Sequence, residues 1–84
     1  MKELSEVYKS KLIHFVEIYK KLVKVQAPFT RWRRNYEKFM SVYDALLSLP
    51  YKNEELENLI VKYELLKNKF EEKTTEEYIN WCTL

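Results

Sequence analysis

The sequence predicts an all-α fold: a small antiparallel three-helix bundle, running up, down and up, with a short C-terminal fourth helix. Three observations predict it. Apolar residues recur at three- and four-residue spacing through most of the chain, the period of a helix with one buried face. The 84 residues include no glycine, so the usual source of tight, positive-φ turns is missing. The two prolines, Pro28 and Pro50, divide the chain into three stretches, each long enough for a bundle helix.

The first helix is expected over roughly residues 3–26. Leu4, Tyr8, Leu12, Phe15, Tyr19 and Leu22 recur on one side, and Val16 and Val23 widen the arc. Glu6, Lys9, Glu17, Lys20 and Lys24 take the opposite side. Lys11 falls inside the apolar arc, where its stem packs and its ammonium reaches water. Ile13 points onto the charged side.

The second helix is expected over roughly residues 30–49, with Thr30 as a plausible N-cap after Pro28. Trp32, Tyr36, Phe39, Met40, Tyr43, Leu46 and Leu47 line one face. An aromatic stripe at this spacing reads as core before it reads as a base-stacking platform.

Asn53 caps a third helix over roughly residues 53–72, and Glu54, Glu55 and Glu57 suit the positive end of its dipole. Leu56, Leu59, Ile60, Tyr63, Leu66 and Phe70 form its buried stripe. Val61 and Leu65 lie off that stripe, one turn apart, as a small outward apolar patch. Thr74 and Glu77 match a capping box, which places a fourth helix at roughly 75–82 carrying Tyr78, Ile79 and Trp81. The alternative is that the third helix runs on. The whole of 1–84 is read as one domain.

Size and composition narrow the function. A chain this short buries only about 60% of its unfolded surface, so a binding surface is expected before a deep active site. Without glycine, the Walker A, Rossmann and nucleophile-elbow motifs are absent in their usual forms. Cys82 is the single cysteine, so no disulfide or zinc set forms within one chain, and a reducing, cytoplasmic setting is the simplest expectation. No apolar run approaches the roughly 20 residues of a membrane span. His14 is the single histidine, and no Glu-x-x-His motif or isolated carboxylate pair occurs. The expectation is a protein that is not an enzyme and uses no metal or cofactor.

Charge supplies the functional hint. The net charge is +2, but residues 1–50 carry ten basic and five acidic side chains, and residues 51–84 carry five and eight. All three arginines, Arg31, Arg33 and Arg34, surround Trp32 at the start of the second helix, where positive charge opposes the dipole. On a helical wheel Arg31 and Arg33 flank the apolar stripe and Arg34 lies opposite it, a cationic collar. Guanidinium groups suit phosphate and carboxylate, so the collar reads as a contact for nucleic acid or an acidic partner. Pairing with the glutamates of residues 54–77 is the competing reading. Lys38, Lys62, Lys69 and Lys73 are further candidates for the same contact. Ile13, Val61, Leu65, Tyr78 and Trp81 are candidate protein contacts.

No zinc-finger spacing, RNP motif or short-helix reader pattern accompanies the basic residues. The favoured reading is a non-catalytic accessory subunit of a nucleic-acid-handling assembly, of replication or transcription type, docked on a larger protein. The alternatives are direct, weakly specific nucleic-acid binding and self-association, including a homodimer or a structural protein of a virus particle. The Lys-, Glu- and Tyr-rich composition, with one glutamine, resembles that of small proteins of hyperthermophilic archaea and their viruses, a likeness of style that assigns no residue a role.

Overall fold

The computed structural model describes residues 2–83, with side chains described from residue 4 to residue 83. Three helices account for nearly all of them: α1 Lys2–Lys24, α2 Phe29–Leu47 and α3 Glu54–Thr83. Ring contacts fix their order and direction. Phe15 meets Phe39 and Tyr19 meets Trp32, so α1 and α2 run antiparallel. Tyr43 meets Tyr63 and Trp32 meets Phe70, so α2 and α3 run antiparallel too. Tyr8 meets Tyr63 and Tyr19 meets Phe70, which sets α1 parallel to α3. The result is an up-down-up bundle 47 × 21 × 16 Å in extent.

Aromatic rings fill the middle of the bundle. Phe39 is fully buried and sits at the centre, with Tyr63 and Phe70 stacked at 5.5 and 5.4 Å and Phe15 edge-on at 5.3 Å. Tyr63, Phe70 and Trp32 are buried with it, and Leu46 and Leu56 close the lower end. The backbones of α2 and α3 approach most closely, and α1 packs across them. Large rings suit such spacing, because each removes roughly 150–250 Å² from water. The Tyr63 hydroxyl is satisfied inside the core by donating to the Tyr8 carbonyl at 2.6 Å.

The first connection solves a problem set by the absence of glycine. The Ala27 N–H donates to the Leu22 carbonyl at 3.0 Å and the Gln26 N–H to the Val23 carbonyl at 3.2 Å. This is a Schellman closure, and it needs a left-handed residue at Gln26, whose φ is 51°. Ala27 and Leu22 are both buried, the apolar contact that accompanies this motif. Helix α1 therefore stops at Lys24, two residues before the expected end. In the second connection Asn53 does cap α3, accepting from the Leu56 N–H at 2.9 Å.

Two expectations need correction. Thr30 is not the N-cap of α2. Pro28 holds that position in extended backbone, and its carbonyl accepts from Arg31 and Trp32, so the helix opens at Phe29 with no side-chain cap. The separate fourth helix at 75–82 does not form either. Helix α3 is continuous for 30 residues, about 45 Å at 1.5 Å per residue. Residues 70–78 contain no proline or glycine to break it. Thr74 does not serve as a cap, because its Oγ1 is buried within the helix packing and makes no hydrogen bond among the described residues. The core register of α3 also carries across this point, from Phe70 through Thr74 to Tyr78 and Trp81, so breaking the helix would bring no packing gain.

Candidate nucleic-acid interface

Shallow grooves follow the seams between helices, and their lining residues give each seam a charge. The α1/α3 seam is mixed at its lower end, where Ser5, Glu6, Lys9, Glu55, Asn58, Leu59 and Lys62 meet. Higher on the same seam lie Leu22, Val23, Gln26, Trp32, Lys73 and Glu77. The α2/α3 seam is acidic to mixed. There the Tyr36 hydroxyl donates to Glu71 at 2.7 Å, and Lys67 lies 3.7 Å from the same carboxylate. Burial, and then the Glu71 carboxylate, push the Tyr36 phenol up to about 12.

The α1/α2 seam differs. Ile18, Lys21 and Leu22 of α1, with Val25 just after it, meet Arg31 and Asn35 of α2 in one groove. Helical spacing extends both rows. Lys11 and His14 precede Ile18 by seven and four residues, on the same side of α1. Lys38 follows Arg31 by seven residues and Arg34 by four, on the same side of α2. Lys11, His14, Lys21, Arg31, Arg34 and Lys38 are all exposed, and among the described residues none of them has an ion-pair partner. Glu17 borders this strip on its outer side without pairing to Lys21. From Lys11 to Lys21 the strip runs about 15 Å at 1.5 Å per residue.

The arginine collar is split by this geometry. Arg31 belongs to the basic seam, and Arg34 lies beside it on the outer face of α2. Arg33 faces the α3 side and pairs with Glu37 of its own helix at 3.2 Å, with both side chains exposed. Such a pair contributes about 0.3–0.5 kcal/mol. Among the described residues no arginine pairs with the glutamates of α3, so the competing reading of the cluster as an internal ion-pair network is not what forms. The first turn of α2 has no acidic residue to offset the arginines.

The remaining candidates fall in three places. Lys62 and Lys73 line the α1/α3 seam and not the α1/α2 groove, and Lys69 lies exposed on α3 between them. Lys73 is occupied locally, 3.6 Å from Glu76 and 5.8 Å above the Trp32 ring. Ile13 is exposed alone among charged neighbours. Val61 and Leu65 are an exposed pair on the outer side of α3. Tyr78 and Trp81 are brought together, with Phe29 between them: Phe29 lies 5.2 Å from Tyr78 and stacks on Trp81 at 5.6 Å. A hydrogen bond to Cys82, one turn on, raises the Tyr78 phenol above its ordinary pKa.

Sequence reasoning leaves out Lys11, His14 and Lys21 from the basic surface and Phe29 from the aromatic group. The i, i+3, i+7, i+10 spacing of Lys11, His14, Ile18 and Lys21 was the available clue. Among the described residues no cluster of His, Cys, Asp or Glu is placed to hold a metal ion, and no helix is long and apolar enough to cross a membrane. Comparison of the chain with protein-family models, curated proteins and solved structures returns no match.

Proposed function

We propose that this chain is a non-catalytic helical accessory subunit of a nucleic-acid-handling assembly, and that its α1/α2 seam is the surface laid against the nucleic-acid backbone. One observation carries the reading. Lys21 and Arg31 share one groove without ion-pair partners, Lys11, His14 and Lys38 continue the two rows at helical spacing, and Arg34 adds charge on the outer face of α2, while the lysines and arginines of the other two seams sit among glutamates. Unpaired cations held on two rigid helices favour phosphate contacts that are strong at low salt and indifferent to base sequence. The outward pair Val61 and Leu65, on the far side of α3, is the docking point toward a larger protein.

The test is fluorescence anisotropy of labelled DNA and RNA at about 50 and 200 mM salt. A seam holding roughly four phosphates loses affinity by about 100-fold over that range. A Lys21/Arg31/Arg34→Glu variant, checked for native helicity, should not bind at either salt. Absence of wild-type binding at the lower salt would sink the nucleic-acid reading and leave the seam to an acidic protein.

A further inference from the structure

The core stripe of α3 runs off the end of the bundle. Trp81 follows Phe70 by eleven residues, three helical turns, and so occupies the same face. Phe70 is fully buried there, yet Trp81 is 57% exposed and Tyr78 49%. The reason is the lengths of the partners. Helix α1 has ended at Lys24 and α2 has not begun before Phe29, so the last two turns of α3 find a single ring to pack on. Phe29 stacks on the Trp81 indole at an interplanar angle of 27° and meets Tyr78 edge-on at 61°. Tyr78 and Trp81 also touch, at 6.3 Å. The three rings support one another, and Trp81 and Tyr78 each keep about half of their surface open to solvent. Thr83 closes the last turn by donating to the Ile79 and Asn80 carbonyls, so the ledge sits on ordered helix.

We propose that this ledge stacks an unpaired base of single-stranded nucleic acid whose phosphates follow the α1/α2 seam. The proposal rests on the seam reading above and adds the class of strand. Three features favour a base as the occupant. The ledge is built of aromatic rings, two of them about half exposed, and any base stacks on an aromatic face. It lies at the same end as the three arginines: Arg31 of the seam, Arg34 on the outer face and Arg33 on the ledge's own flank of α2 all follow Phe29 within about one turn. Of the acids nearest to it, Glu76 pairs with Lys73, and Glu77, one turn before Trp81, lines the α1/α3 groove together with Lys73.

A second copy of the chain is a poorer occupant. Residues 20–38 and 69–83, which form this end, carry nine basic and five acidic side chains, so two such ends repel. Three half-exposed rings also offer a few hundred Å² at most, short of the roughly 800 Å² per partner of a stable interface. A duplex keeps its bases stacked internally and offers the ledge no face except at a terminus.

The experiment compares a ten-nucleotide single strand with the matching blunt duplex carrying an internal label, by anisotropy at about 50 mM salt. Intrinsic fluorescence is read alongside, where quenching reports Trp81 because Trp32 is 1% exposed. The single strand should bind about 10-fold tighter than the duplex and quench the exposed indole. Trp81→Ser should remove that preference and leave duplex binding unchanged, and Trp81→Phe should restore most of it. Tyr78→Ser gives an independent weakening of the same preference. Equal binding of both forms, unaltered by Trp81→Ser, would overturn this proposal and leave the seam reading standing. Binding of neither form would overturn both. A wild-type dimer by sedimentation that Trp81→Ser dissolves would overturn it in favour of self-association.

Discussion

The Tyr63 hydroxyl donates to the Tyr8 carbonyl at 2.6 Å, tying the middle of α3 to the first half of α1 inside the core. The two rings also meet edge-on at 6.5 Å. A buried phenol without this acceptor would be an uncompensated polar group, so the bond fixes the register of α1 against the α2/α3 pair. Tyr63→Phe keeps the ring and removes the donor. It should lower the free energy of unfolding by about 0.5–1.5 kcal/mol, read as a shift in urea midpoint at constant slope. An unchanged midpoint would show that the bond contributes nothing net.

Alkaline pH should unfold the bundle through its tyrosines. The Tyr36 phenol is raised from 10.0 to about 12, and burial, with a smaller contribution from Tyr8, raises Tyr63 in the same direction. Below pH 10 both groups are protonated in the folded and unfolded chain, and their contribution is fully present. Above pH 10 the unfolded chain releases protons that the folded chain retains, so stability falls as pH rises toward and through the folded values. Denaturation curves at pH 9, 10 and 11 should show stability steady to 10 and falling beyond it. A Tyr36/Tyr63→Phe variant should fall less steeply over the same interval. A variant as steep as wild type would remove the tyrosines as the cause.

Gln26 holds a left-handed conformation that favours glycine, with φ of 51°. The Schellman bonds to Leu22 and Val23 hold it there. Relief of the Cβ contact outweighs the added freedom of the unfolded chain at such a site, and Gln26→Gly should stabilise the protein by about 0.5–1 kcal/mol. Thermal denaturation checks it, with a rise of a few degrees expected for a domain of this size. A lower melting temperature would mean that the Gln26 side chain contributes more by its packing on the α1/α3 groove than the backbone costs.

Much of this molecule was legible from residue order alone. Helical period, two prolines and no glycine were enough for three antiparallel helices, because an amphipathic stripe has one low-energy way to leave water. Phe39, Tyr63 and Phe70 could be placed in the core for the same reason. Junctions were less legible. Thr74 with Glu77 carries the signature of a cap, yet nothing local forces a break, and the packing of Tyr78 and Trp81 on Phe29 rewards an unbroken helix. The start of α2 moved for a related reason: the Pro28 carbonyl already serves Arg31 and Trp32, so Thr30 has no capping position to fill.

The basic surface lies between these cases. Residue order marks Arg31, Arg33 and Arg34 as unusual and shows which side of each helix is polar. It does not say which flank of α1 meets α2 and which meets α3, because an up-down-up bundle can be wound with either hand and the helical period is the same in both. Only the tertiary packing decides this. It brings Lys21 beside Arg31, with Lys11, His14 and Lys38 continuing the same two rows, sends Arg33 to the other flank and to Glu37, and leaves Trp81 beyond the ends of the helices that would have covered it. The sequence by itself determined which residues leave water. The tertiary structure decided which charges face one another, since that depends on distances between helices far apart in the chain.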